Sequence, residues 1–190
     1  MIILASSSPR RRQLLDMLGI EYIVDPSDIE ESRAPGELPQ SMAVRLARQK
    51  AVTTGARHPD VPVLGADTVV VVQDTVLGKP ASTREAERML GMLSGRDHEV
   101  ITAVALAWDG ATAAKCDITR VWFREMEPSF IRDYVATGEP LDKAGSYGVQ
   151  GRGALLVEKI EGDFFSVMGL PLRLVVELLE GAGLSYRFTR

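Results

Sequence analysis

A single aspartate, Asp67, interrupts an apolar run, with Val63-Leu64-Gly65-Ala66 before it and Thr68-Val69-Val70-Val71-Val72 after it. An unpaired carboxylate is costly to bury in such a segment. Asp67 therefore sits either at a bulge or strand end facing solvent or in a functional cleft. Gly65, two residues earlier, fits a close backbone approach at that point. Nearer the start, the apolar run Ile2 to Ala5 leads into Ser6-Ser7-Ser8-Pro9-Arg10-Arg11 and then into a helical pattern. That order suits an anion. A helix N-terminus offers free N–H groups and the positive end of its dipole, the serines add hydroxyls, and the arginines add fixed charge. The same residues also suit a capped surface helix with a solvated basic run, because no Gly-rich phosphate fingerprint accompanies them.

Other chemistry-bearing residues divide the same way. Lys50 lies among Arg45, Arg48 and Gln49, which by itself describes a solvated helix face. Lys79 stands between Gly78 and Pro80, a rigid loop presenting one ammonium group suited to phosphate. Asp28, Glu30 and Glu31 are hard oxygen ligands of the kind Mg²⁺ takes beside substrate phosphates, in a loop that reads equally as an acidic solvated surface. Gln150, in Gly148-Val149-Gln150-Gly151, can offer a paired donor and acceptor to a base edge. His58 and His98 read as surface positions, Cys116 as a small core residue, and Trp108, Trp122 and Phe123 as packing residues of strands.

The elements that must position these residues alternate between strand and helix. Ile2–Ala5 and Glu21–Val24 read as strands, and Val63–Gln73 as the strongest one, being β-branched and almost uncharged. Ser8-Pro9 predicts an N-cap and first turn, with Leu14, Leu15 and Leu18 as the apolar stripe and Gly19 as the stop. Helices follow over Ser41–Thr54, over Thr83–Leu93 capped by Ser82, over Glu127–Ala136, and from Pro171 to Leu179. Asp74-Thr75 predicts a turn into Val76-Leu77. Asp109-Gly110 predicts a hairpin joining Glu99–Trp108 to Lys115–Arg124. The Gly-rich stretch Leu141–Gly153 reads as loop, Ala154–Ile160 as strand, and Ser185–Thr189 as a closing strand. Hairpins mixed into an αβ alternation predict an α/β fold on a mixed rather than purely parallel sheet.

Length and composition limit the function classes. The 190 residues suit one domain, taken as 1–190, or two small lobes around a shared cleft. Apolar residues at 45% and charged residues at 25% exclude wholesale disorder and a fibrous chain. A net charge of −4 provides no basic field for nucleic acid, and 6% aromatic residues leave few rings on which to stack bases. One cysteine cannot form an intramolecular disulfide. The apolar stretches fall short of the roughly 20 residues of a membrane span, and the apolar run precedes Arg10-Arg11-Arg12, the reverse of a secretory signal. A cytoplasmic chain with no membrane partner is expected.

Taken in order, Ala5-Ser6-Ser7-Ser8-Pro9-Arg10-Arg11, Arg45-Leu46-Ala47-Arg48-Gln49-Lys50-Ala51, Gly65-Ala66-Asp67-Thr68, Gly78-Lys79-Pro80, Asp142-Lys143-Ala144-Gly145 and Gly169-Leu170-Pro171 resemble the Maf family along essentially the whole chain. Maf proteins are nucleoside triphosphate pyrophosphatases, also described as septum formation inhibitors. The resemblance implies a mixed, twisted β-sheet with flanking helices, of the Maf/ITPase-like kind, with two lobes around a deep nucleotide-binding cleft. It also implies a homodimer and a divalent metal, Mg²⁺ or Mn²⁺. By motif, Asp67 would be the proton acceptor and Glu31 with Asp67 the metal ligands, while Ser6, Arg11, Lys50 and Lys79 complete the phosphate site. Arg10, Thr68 and Gln150 match the subfamily acting on dTTP and UTP, with clearance of non-standard pyrimidine nucleotides as a further role. Ser146, where relatives often have alanine, is a minor departure. The alternatives are a nucleotide-binding regulator of cell division acting by contact, and a single-stranded nucleic-acid binder using the stretches at Arg10 and Arg45. The net negative charge and sparse aromatic content disfavour the second of these.

Overall fold

The computed structural model describes residues 1–188. In chain order the elements are β1 (Ile2–Leu4), α1 (Pro9–Met17), β2 (Tyr22–Val24), α2 (Pro39–Gly55), β3 (Val63–Val72), β4 (Thr75–Leu77), α3 (Thr83–Leu93), β5 (Asp97–Trp108), β6 (Ala111–Phe123), α4 (Pro128–Ala136), β7 (Val157–Glu161), α5 (Phe164–Met168) and α6 (Leu172–Gly181). Short 3₁₀ turns occupy Glu139–Asp142, Ala144–Ser146 and Arg152–Leu156. The sheet runs β2-β1-β3-β5-β6-β7, with β4 paired to β3. β1 is parallel to β2 and to β3, whereas β3–β4 and β6–β7 are antiparallel, so the sheet is mixed as predicted.

The chain divides into two compact units. The first holds Met1–Asp67, Thr102–Asp117 and the chain from Gly169 onward; the second holds Thr68–Ile101 and Ile118–Met168. β3 passes from one to the other between Asp67 and Thr68, and β5 passes back between Ile101 and Thr102.

In the first unit, Pro9 opens α1 with its fixed φ, and Gly19 at φ +65° closes it. Ser8 has the extended backbone of an N-cap, yet its hydroxyl makes no capping bond. Its N–H instead donates to Ser6 Oγ at 3.3 Å, which corrects the capping expectation. α2 begins two residues before the predicted start because Pro39 takes the first helical position. Its buried face carries Met42, Leu46, Ala47, Lys50 and Ala51, at the spacing of one helical stripe. Ile3, Ala5 and Val63 pack with Val61 and Ala107.

The second unit has its own core, in which Val70, Val72, Leu90, Phe123, Tyr134 and Leu156 are among the buried members. Ser82 Oγ accepts the Glu85 N–H and Glu85 Oε2 accepts the Ala81 N–H, a reciprocal cap on α3 worth about 1 kcal/mol. α3 buries Ala86, Met89, Leu90 and Leu93, and truncating Leu90 to alanine is expected to cost about 2–5 kcal/mol.

Several boundaries differ from the sequence reading. The β3–β4 turn is centred on Gln73 and Asp74, at φ 47° and 64°, with Val72 opposite Thr75; it comes one residue earlier than predicted. Asp109 and Gly110, at φ 50° and 70°, form the predicted hairpin turn. β6 starts at Ala111 rather than Lys115, because a two-residue turn lets the small residues Ala111–Ala114 continue the strand. Ala154–Leu156 is 3₁₀ and not strand, the Gly-rich stretch contains 3₁₀ turns, and α5 was not anticipated. Ser185–Phe188 forms no strand, and Thr189 lies outside the described residues.

His98 is buried at 2% exposure, correcting its surface assignment, while His58 is half-buried. Alternation along β5 puts His98 on the face of Val100, away from exposed Asp97. Cys116 is half-buried rather than core. Phe123 is buried, and Trp108 and Trp122 are half-buried. Among the described residues no helix is long and apolar enough to cross a membrane.

Candidate active site

The chemistry of the first unit begins with a glycine. Gly65 and Asp67 share one face of β3, two residues apart. A Cβ on Gly65 would stand 2.3 Å from the Ala47 carbonyl oxygen and 2.7 Å from the Ala51 nitrogen, so only glycine lets the α2 backbone come this close. That approach brings Lys50, at 7% exposure, onto Asp67, at 5%. Lys50 Nζ donates to Asp67 Oδ1 at 2.6 Å and lies 2.6 Å from Glu31 Oε1, so one buried ammonium joins two carboxylates. Asp67 lies in the interior of β3 and is buried, so it is neither at a strand end nor facing solvent.

Burial is the largest influence on Asp67 and raises its pKa above the ordinary carboxylate value. Lys50 and Arg11 pull the other way, and Glu31 adds to the rise. Burial likewise lowers the Arg11 pKa; Asp67 and Glu31 oppose the change and Arg10 reinforces it. Arg11, in the first turn of α1, donates through Nε to the Gly169 carbonyl at 2.8 Å and through Nη1 to Ser6 Oγ at 3.0 Å. Ser6 Oγ thus accepts from both Arg11 and Ser8, which fixes the hydroxyl at the β1–α1 turn. Arg10 is half-buried beside it.

Glu31 is carried on the loop between β2 and α2, which is fastened on both sides. Asp25 accepts from His58 Nε2 at 2.7 Å and from Arg57 Nε at 3.0 Å, and His58 followed by Arg57 hold its pKa below the usual range. Arg45 grips both Glu37 oxygens, at 2.7 and 2.8 Å, and the Ser32 carbonyl at 3.0 Å, holding Glu37 down to a pKa of about 2. Arg45, read from sequence only as part of a basic stretch, is therefore a loop anchor.

A divalent cation fits this donor set in one mode. Glu31 Oε1 and Asp67 Oδ1 converge on the Lys50 ammonium, so a cation would be held beside that ammonium by these two carboxylates. Among the described residues no group of three or more His, Cys, Asp or Glu stands ready to hold a metal. Two carboxylates with the remaining positions left to water and phosphate oxygens is how Mg²⁺ is commonly held at phosphate-transfer sites.

The other three candidates belong to the second unit. Thr68 is half-buried and next to Asp67 in β3. Lys79 is exposed in the loop between β4 and α3. Gln150 is exposed at the end of a buried run, Gly145 to Val149. The Gly145 N–H donates to the Gly78 carbonyl at 3.1 Å, so the Gly78-Lys79-Pro80 and Asp142-Lys143-Ala144-Gly145 motifs, distant in sequence, meet. Sequence reasoning gave no role to the Gly169 carbonyl, Glu139 or Tyr134. For Gly169 the signal was a glycine ahead of a helix-opening proline; the other two left none.

An α/β chain that buries an ammonium between two carboxylates and points an arginine pair from a helix start is equipped for an anionic substrate and for proton transfer. It belongs to the Maf-like protein family, whose pattern matches residues 1–182. A dTTP/UTP pyrophosphatase of Moorella thermoacetica is 52% identical over 183 residues, 94% of this chain and 93% of the other. Proteins of that description from Geobacter metallireducens and Symbiobacterium thermophilum are 49% and 47% identical, each over 96% of this chain and over 96% and 94% of their own.

Proposed function

We propose that the chain is a nucleoside triphosphate pyrophosphatase that hydrolyses dTTP and UTP to the monophosphate and pyrophosphate. The observation that carries this reading is the buried contact of Asp67 with Lys50 at 2.6 Å, in the unit that also holds Arg11 and Ser6. The substrate class comes from the names of the relatives that match nearly the whole chain. No observation favours a regulator acting by contact alone.

Hydrolysis joins a water oxygen to the α-phosphorus and breaks its bond to the bridging oxygen, which leaves with pyrophosphate. Asp67 takes the proton from that water, and a carboxylate with a raised pKa is a better acceptor near neutral pH. Lys50 keeps Asp67 in place and supplies positive charge beside it. Arg10, Arg11 and Lys79 bind triphosphate oxygens, and Ser6, whose oxygen already accepts two bonds, donates its hydroxyl hydrogen to one. Glu31 and Asp67 would hold a divalent cation, Mg²⁺ or Mn²⁺, which supplies positive charge against the phosphoryl oxygens. Gln150 pairs with the O4 and N3–H edge shared by thymine and uracil, with Arg10 and Thr68 completing selection. The homodimer and the cytoplasmic setting belong to the same proposal.

A panel of nucleoside triphosphates assayed for pyrophosphate release, with and without Mg²⁺ or Mn²⁺, tests the reading. Release from dTTP and UTP ahead of CTP and purine nucleotides is expected. No release from any member overturns it.

A further inference from the structure

Gln150 sits in a segment whose backbone is fastened on both sides to two residues that carry no role above. Glu139 Oε1 accepts the Tyr134 hydroxyl at 2.9 Å and the Gly153 N–H at 3.1 Å, while Oε2 accepts the Arg152 N–H at 2.9 Å. The Tyr134 oxygen in turn accepts the Gly148 N–H at 3.3 Å. One carboxylate and one phenol therefore hold the amide two residues before Gln150 and the amides two and three residues after it.

The glycines show how closely the segment wraps these groups. A Cβ on Gly151 would lie 2.6 Å from Glu139 Oε2, and one on Gly153 2.6 Å from the Tyr134 hydroxyl. Lys143 Nζ bonds the Glu139 carbonyl at 2.5 Å, tying the start of the segment to the same residue. Burial alone would raise the Glu139 pKa. The Gly153 and Arg152 amides and the Tyr134 hydroxyl hold it below the usual range, so Glu139 stays an acceptor through the neutral range.

We propose that Glu139 and Tyr134 are positioning residues for base selection: they hold the backbone on both sides of Gln150 so that its side chain starts from one fixed point beside the pyrimidine edge. The inference rests on the reading of Gln150 as the base-contacting residue. A side-chain amide can meet both O4 and N3–H only when its Cα is held at the right distance from the base edge, and a fixed backbone supplies that placement.

The test compares kcat and KM for dTTP, UTP and CTP in the parent, Tyr134→Phe, Glu139→Gln, Gln150→Ala and Tyr134→Phe/Gln150→Ala. Melting temperatures are recorded alongside, and Glu139→Gln serves if Tyr134→Phe does not fold. Tyr134→Phe removes the bond to the Glu139 carboxylate and the one from the Gly148 amide, and Glu139→Gln weakens the carboxylate's three bonds. Each is expected to narrow the dTTP-to-CTP ratio of kcat/KM about three- to tenfold, mainly through KM. Adding Tyr134→Phe to Gln150→Ala is expected to narrow it no further, because both act through one contact. Two results overturn the inference while leaving Gln150 in its role. In one, Gln150→Ala narrows the ratio but both clamp variants keep the parental value. In the other, the clamp and Gln150 effects multiply. A parental ratio in Gln150→Ala removes the base-contact reading and the inference with it.

Discussion

Lys50 reaches Asp67 at 2.6 Å because Gly65 lets α2 lie almost against β3. Neither charge is explained alone. Lysine is rare on the buried stripe of a helix and aspartate is rare inside a valine-rich strand, and each is a large cost unless paired. Paired, they neutralise each other and leave a carboxylate of raised pKa at the position proposed to take the proton from water. Glu31, the second carboxylate on the same ammonium, adds negative charge at this point.

Lys50→Ala removes the cation that opposes the burial of Asp67. The Asp67 pKa, already raised, rises further. In its proposed role Asp67 accepts a proton only when ionised, so activity is expected to fall as pH drops through its pKa, with that acid limb at higher pH in the variant. A pH–rate profile of kcat/KM checks it; an acid limb at the parental position separates Lys50 from Asp67 in function.

Gly65→Ala places a Cβ against backbone, where no side chain can swing away. α2 must move off β3, with an expected stability loss of about 1–3 kcal/mol, the usual cost of overpacking. Chemical denaturation measures it. Activity is expected to fall by more than the stability loss accounts for, because the Lys50–Asp67 contact lengthens.

His98 is buried with its Nε2 and the Tyr147 hydroxyl 2.8 Å apart, and its Nδ1 has no hydrogen-bond partner among the described residues. Burial lowers its pKa from 6.5 to about 4. Between those values the unfolded chain holds the extra proton, so stability is full above pH 6.5 and is lost as pH falls toward 4. The contribution is about 2–4 kcal/mol. Unfolding free energies across this range should fall less steeply in His98→Gln than in the parent. Equal slopes would take His98 out of the acid transition.

The sequence made much of this legible, and for identifiable reasons. The valines of β3, the Ser82 cap and the Asp109-Gly110 turn are local signals, and each element formed where its residues ask for it. Asp67 stood out because it broke an apolar pattern. Lys50 was harder: its neighbours Arg48 and Gln49 look solvated, and only the i, i+4 relation to Leu46 marks the buried face. His98 was misread through its acidic neighbours, although strict alternation with Val100 carried the correct answer. Glu139 and Tyr134 serve backbone amides about ten or more residues further on, and such bonds leave no periodicity to read.

The proposed function assigns base preference to Gln150 and Arg10. Gln150→Glu replaces an amide donor with an acceptor and brings an anion near O4, while Arg10→Trp adds a flat surface suited to a purine. Together they are expected to lower kcat/KM for dTTP and UTP and raise relative use of 7-methyl-GTP, whose cationic ring favours an aromatic face. Both pyrimidines should remain comparable, since one methyl group is worth about 1–3 kcal/mol at most. Specificity constants for the four nucleotides dTTP, UTP, CTP and 7-methyl-GTP decide it, and an unchanged ranking would clear these residues of the role.

The most direct measurement resolves the products of dTTP with Mg²⁺ present, for the parent and for Asp67→Asn, with dTTP binding measured on both. From the parent, dTMP and pyrophosphate are expected in equal amounts. Asp67→Asn keeps the shape of the side chain and removes the proton acceptor, so turnover should drop about 10²–10⁴-fold while the nucleotide still binds. Formation of dTDP and phosphate by the parent, or turnover by Asp67→Asn near the parental rate, would contradict the assignment.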